Sequence, residues 1–104
     1  MQLFAQGDVL LLQVEDAPQG EPVQSEGGRL ILARGEATGH HHSVAEGVCA
    51  SLIRDIEERE LYLLLGEPAT LEHQEHAAID LPAGTYRVII QSEYSPEAIR
   101  NVAD

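Results

Sequence analysis

The fold class is decided by residues 79–90, which read IDLPAGTYRVII. A Pro-Ala-Gly turn at residues 82–84 separates two short segments, each with a polar residue between two apolar ones. After the turn, Tyr86 and Val88 fall on one face and Arg87 falls on the other. Because successive side chains of a strand point to opposite faces, this pattern predicts a strand, a tight turn and a second, longer strand.

Short segments that suit strands, most of them apolar, recur along the rest of the chain, with Gly, Pro and charged residues between them. They cover residues 8–14, 29–33, 40–44, 48–53 and 61–65. Strands that follow one another every 8–12 residues or so are typical of small sandwiches and barrels. We therefore predict an all-β fold, a small antiparallel β-barrel or sandwich of about six to eight strands, in a single domain over residues 1–104.

The C-terminal residues have a different pattern. Ser95, Pro96 and Glu97 give a serine N-cap, a proline at the first helical position and an acid in the first turn. These are helix-start signals, so we predict a short C-terminal helix.

The net charge limits the classes of partner that the protein is expected to bind. The net charge is −12, and all six basic residues are Arg. Such a surface repels phosphate backbones and anionic lipids, so we expect no nucleic-acid partner and no membrane partner. A protein partner or a homo-oligomer is left open.

The chain also carries no sign of export. Its N-terminus has no basic segment followed by a long apolar run, and no apolar run approaches the roughly 18 residues that a membrane helix needs. The single cysteine, Cys49, cannot form an internal disulfide, and we expect it to be a small core residue. These features predict a cytoplasmic protein.

All five histidines lie in two clusters, and the first is His40-His41-His42. On a strand, His40 and His42 share a face with Cα atoms about 7 Å apart, which lets both imidazoles reach one ion. His41 then points to the opposite face, and we expect it to be dispensable.

The second cluster contains His73 and His76. A separation of three residues does not bring two rings together on a regular strand, but it does so at a turn or a bulge. The simplest arrangement in an all-β chain is a turn at residues 74–75.

Together these clusters suggest a metal site of His40, His42, His73 and His76. Neutral imidazoles suit Zn, Ni, Cu or Fe as divalent ions. Neighbouring carboxylates, Glu46 and Glu75 among them, are candidates for additional ligands or for orienting a ring. The alternatives are a polar cleft without metal and ordinary exposed histidines.

Part of this arrangement resembles the cupins, small β-barrels whose first motif is Gly, five residues, His-x-His, three or four residues and Glu. Here Gly35 is followed after four residues by His40 and His42, and Glu46 follows after three. The resemblance implies that His40, His42 and Glu46 are metal ligands.

The second cupin motif, Pro-x-Gly-x-x-His, is matched at Pro82 and Gly84. Arg87 stands where the histidine belongs, so the fourth cupin-type ligand is lost. His73 or His76 could take its place, although no rule of that family says so.

A second resemblance spans most of the chain. The pattern GHxH at residues 39–42, followed by HxEHxxIxLPxGxYRV at residues 73–88, is similar to that of a group of small uncharacterised bacterial and phage-associated proteins. It implies that both histidine pairs matter and that His41 does not, and it implies no activity.

Two functions therefore compete at this point. One is a metal-binding module, or a small cupin-like metalloenzyme if a coordination position stays open. The other is a non-enzymatic accessory protein that acts through its acidic surface. The sequence does not decide between an enzyme and a binding protein.

Overall fold

The computed structural model describes residues 2–34, 39–47 and 49–91. These residues form ten strands: β1 (Leu3–Gln6), β2 (Val9–Val14), β3 (Gly20–Pro22), β4 (Arg29–Arg34), β5 (His41–Ala45), β6 (Ala50–Asp55), β7 (Leu61–Leu65), β8 (Ala69–Glu72), β9 (Ile79–Leu81) and β10 (Gly84–Ile90).

The strands form two antiparallel sheets. The larger sheet has the order β1-β2-β10-β7-β6-β3, and the smaller has the order β4-β5-β8-β9. The predicted all-β fold is confirmed, and of the two predicted architectures the arrangement is the sandwich-like one.

The core is one apolar cluster to which both sheets contribute. Leu11, Leu63 and Tyr86 come from the larger sheet, and Val44 and Leu71 come from the smaller one. All five are buried, and burying each side chain stabilises the fold by roughly 1.5–3 kcal/mol. The phenolic hydroxyl of Tyr86 donates a hydrogen bond to the Pro82 carbonyl at 2.6 Å, so the one buried tyrosine hydroxyl of this cluster is satisfied.

The structure departs from the sequence-based predictions in two places. Ten described strands replace the expected six to eight, because the short β1 and β3 pair along the two edges of the larger sheet. Cys49 is exposed rather than buried, because it lies in the turn that precedes β6. The helix predicted after Ser95 lies outside the described residues. In the part of the chain described, there is no helix long and apolar enough to cross a membrane.

Candidate functional site

The two histidine clusters meet because of the register between β5 and β8. These strands are antiparallel, with Ser43 opposite Glu72 and Val44 opposite Leu71. One step further along the same register, His42, which precedes Ser43, lies beside His73, which follows Glu72.

The rings of all four predicted residues lie close together. The ring centroids of His42 and His73 are 4.3 Å apart, those of His73 and His76 are 4.6 Å apart, and those of His42 and His76 are 5.9 Å apart. The fourth ring, that of His40, lies 5.7 Å from His73. We call these four side chains the histidine cluster.

His42 is the buried member of the cluster, with only 2% of its surface exposed. Its Nδ1 lies 2.9 Å from Oε1 of Gln6. The Gln6 amide is oriented by its other end, because its Nε2 donates to the carbonyls of Leu71 at 3.0 Å and Ala77 at 2.9 Å. Since Oε1 can only accept, Nδ1 of His42 carries the proton, and its Nε2 keeps a free lone pair.

The surroundings of His42 also keep its ring neutral. Burial, followed by the nearby His73, lowers the pKa of His42 from 6.5 to about 4, although the carboxylate of Asp8 opposes the shift. Burial and then the rings of His76 and His40 lower the pKa of His73 as well. At neutral pH both side chains are therefore available as neutral imidazoles.

A third chain segment, the turn between β1 and β2, closes over these rings. Gln6 pairs with Val9, so Gly7 and Asp8 are the two central residues of a tight hairpin. Gly7 has a φ of 59°, as a two-residue hairpin turn demands at its first central position. A Cβ on Gly7 would lie 2.6 Å from Nε2 of His76, so any other residue there would force that ring away from its position against the turn.

Asp8 points towards the cluster from this turn. Its Oδ1 lies 3.5 Å from Nε2 of His42, and half of its side chain is exposed. On the other side of the cluster, Oε2 of Glu75 lies 3.5 Å from Nδ1 of His40. Carboxylates therefore border two of the four rings, and Asp8 comes from a turn between two strands of the larger sheet, whereas His42 is on a strand of the smaller one.

His73 has a different hydrogen-bonding state from His42. Its Nδ1 accepts a hydrogen bond from the backbone N–H of Glu75 at 3.0 Å. In the neutral ring the proton of His73 is therefore on Nε2, the reverse of the arrangement in His42.

His41 lies on the opposite face of β5, as the alternation of strand side chains requires. It lines a shallow depression of about 350 Å³ together with Arg29, Ser43 and Glu72. Its Nδ1 is buried and has no hydrogen-bond partner within the described residues. Its backbone N–H, by contrast, donates to Oε1 of Gln74 at 2.8 Å.

The cupin-type ligand set is not assembled in the described structure. Glu46 follows the end of β5, about 13 Å along the strand direction from His42, and there it accepts a hydrogen bond from the Ser25 hydroxyl. Arg87 lies on β10 of the other sheet and is paired with Glu60 at 2.6 Å. Gly35 lies outside the described residues.

Within residues 2–34, 39–47 and 49–91, no group of three or more His, Cys, Asp or Glu side chains is arranged so that it could hold a metal ion directly. The rings of the histidine cluster are close enough to share a ligand, but their nitrogens do not converge on one point. Metal binding by this cluster thus remains a prediction.

Sequence reasoning missed Gln6, Gly7 and Asp8, which read as an ordinary polar turn near the N-terminus. The one local signal was Gly-Asp between two apolar segments, which is typical of a tight hairpin. Nothing local indicates that this hairpin packs against histidines more than 30 residues away.

A family model described as "Domain of unknown function (DUF8820)" matches residues 5–91. The chain belongs to this family. The matched range includes Gln6, Asp8 and all five histidines. No curated protein and no solved structure matches the chain significantly. The expected membership of an uncharacterised family is thus confirmed, whereas the phage association and the cupin resemblance remain predictions.

Proposed function

We propose that the histidine cluster binds one divalent transition metal ion, with Zn, Ni, Cu and Fe as the candidates. The observation that carries the proposal is the state of His42. Its ring is buried, its Nδ1–H is engaged by Gln6, and its Nε2 lies 3.5 Å from Oδ1 of Asp8. Metal-binding histidines almost always have their second ring nitrogen held in this way.

The spacing of the rings supports the same proposal. An imidazole nitrogen lies about 2.1 Å from a bound zinc ion, which puts the centroids of two rings on one tetrahedral ion about 5.3 Å apart. The separations among His42, His73 and His76 run from 4.3 to 5.9 Å and lie on both sides of that value.

The step from the described geometry to a metal complex is a change in ring orientation. The rings of His42 and His76 are 15° from parallel, whereas those of His42 and His73 are 38° apart. His76 is exposed and His73 is partly exposed, so both rings can turn about their side-chain bonds without disturbing the core. The buried ring of His42 already has its orientation fixed.

Titration calorimetry with Zn²⁺ and Ni²⁺ on protein without an affinity tag tests the proposal. We expect wild-type protein to bind at least one of these ions with micromolar or better affinity, and His42→Ala to weaken binding by about 100-fold or more. The matched control is His41→Ala, which removes a neighbouring imidazole from the same strand and is expected to bind as wild type does. Wild-type binding no tighter than millimolar, or equal losses in the two variants, would contradict the proposal.

A further inference from the structure

Asp8 and His42 face each other in an arrangement that calls for a cation. Their nearest atoms, Asp8 Oδ1 and His42 Nε2, are 3.5 Å apart. Because Nδ1 of His42 holds the ring proton for Gln6, Nε2 presents a lone pair, and the carboxylate oxygen presents another. Two such atoms repel each other unless a positive charge lies between them.

The separation of these atoms also fits a shared metal ion. Two ligand atoms 3.5 Å apart, each about 2.1 Å from one ion, subtend about 110° at that ion. This is close to the tetrahedral angle, so neither side chain has to move far to bind the same metal.

The turn that carries Asp8 is built against a second ring of the cluster. The backbone of Gly7 lies so close to His76 that a Cβ would come within 2.6 Å of the ring's Nε2 and within 3.2 Å of Cε1 of His42. The turn that carries Asp8 therefore lies against the rings of both His42 and His76. His73, whose Nδ1 accepts from the Glu75 backbone, keeps its proton on Nε2 and is less ready to bind through that atom.

We infer that Asp8 is a metal ligand together with His42, and that the exposed ring of His76 turns to supply the third ligand. This inference rests on the proposed metal binding; it narrows the histidine ligands of the cluster to His42 and His76 and adds an oxygen ligand from the β1–β2 turn. Two imidazoles and one carboxylate are the ligand set of sites that keep coordination positions open. Since His76 is exposed and Asp8 is half-exposed, those positions face solvent and can take water or a small anionic ligand.

Zn²⁺ titration of Asp8→Asn tests the ligand assignment, with Asp16→Asn as the matched control. Asp16 is an exposed acid in the loop after β2, so both changes remove one negative charge. We expect Asp8→Asn to lower the affinity by about 10-fold or more and Asp16→Asn to change it by less than about twofold. If wild-type protein binds Zn²⁺ and Asp8→Asn binds equally well, the role of Asp8 is disproved while the proposed function stands. If wild-type protein binds no metal, both are disproved.

An Asp8→Cys substitution tests by absorption spectroscopy whether residue 8 binds the metal, without relying on an affinity measurement. In a Cys49→Ser background, Asp8→Cys loaded with Co²⁺ is expected to show the thiolate-to-cobalt charge-transfer band in the near ultraviolet, and Asp16→Cys is expected to show none. Absence of the band from a cobalt-loaded Asp8→Cys protein would overturn the assignment. Adding azide to the wild-type Co²⁺ complex is expected to shift its d–d bands, and unchanged bands would contradict an open coordination position.

Discussion

His41 and His42 are neighbours on β5, yet the structure gives them opposite environments. His42 points into the sandwich, where Gln6 holds its Nδ1 and Asp8 faces its Nε2. His41 points outward, and its buried Nδ1 has no partner within the described residues. The strand places the two rings on different faces, but the β1–β2 hairpin holds only the His42 ring in an orientation and tautomer suited to bind a metal. Having two histidines at the right spacing is therefore less informative than knowing what holds each ring.

After the loss of His42 itself, the largest expected effect comes from removing the group that holds its ring. Gln6→Met keeps a side chain of similar length but loses the acceptor for Nδ1–H. We expect Zn²⁺ affinity to fall by about 10- to 100-fold, or roughly 1.4–2.8 kcal/mol, because the ring is no longer fixed in the binding tautomer. Calorimetry measures the loss, and the exposed Gln24→Met is the control. Unchanged affinity in Gln6→Met would show that the hydrogen bond to Gln6 is not what makes His42, rather than His41, a metal ligand.

The second effect is a loss of folding stability at low pH, which is caused by the lowered pKa of His42. Its folded-state pKa is about 4, below the 6.5 of the unfolded chain, so as the pH falls the unfolded state takes up the proton first. The contribution is therefore fully present above pH 6.5 and is lost as the pH falls towards 4. For metal-free protein this amounts to about 2 kcal/mol between pH 7 and pH 5.

Urea unfolding of metal-free protein at pH 7 and pH 5 measures this loss. We expect His41→Ala to retain it and His42→Asn to lose it, since asparagine does not titrate in this range. A pH dependence as large in His42→Asn as in wild-type protein would show that groups other than His42 account for the acid sensitivity.

The third effect concerns the hairpin that brings Asp8 to the cluster. Gly7→Ala forces a side chain into a left-handed conformation and pushes a Cβ against His76. We expect a loss of about 1–2 kcal/mol in the free energy of unfolding from the backbone term alone. Gly27→Ala is the control, because it carries a similar φ of 58° but has no atom within 4 Å of the added Cβ. Gly27→Ala should lose the backbone term alone, Gly7→Ala should lose at least as much, and only Gly7→Ala should also weaken Zn²⁺ binding.

The smallest effect is expected at His41. Removing its ring also removes the buried nitrogen that has no partner, so the lost packing is offset. We expect His41→Ala to change the free energy of unfolding by no more than about 0.5 kcal/mol. A loss of several kcal/mol in urea unfolding would mean that the outer face of β5 is the more tightly constrained one.

Much of the fold could be predicted from local sequence, and the reason is visible in β10. Its alternation and the preceding Pro-Ala-Gly turn are local signals, and the strand begins at Gly84. The edge strands β1 and β3 have only four and three residues, and β3 consists of Gly-Glu-Pro, which reads as a turn. Pairing with a neighbouring strand makes them strands, and such pairing leaves little local pattern.

The candidate site was predictable only within each chain segment. Spacing alone paired His40 with His42 and His73 with His76. The contact between the two pairs depends on the register of β5 with β8, and the approach of Asp8 depends on how the two sheets pack. These are long-range relations that spacing along the chain does not encode.

The most direct test of the account is the tautomer of His42, read by two-bond ¹H–¹⁵N correlation NMR of metal-free protein at pH 7. We expect His42 to be neutral with its proton on Nδ1, and Zn²⁺ to shift the ¹⁵N resonance of its Nε2. His41 serves as the internal reference and should show no such shift. A proton on Nε2 of His42, or a His42 resonance that Zn²⁺ leaves unchanged while His41 responds, would contradict the account.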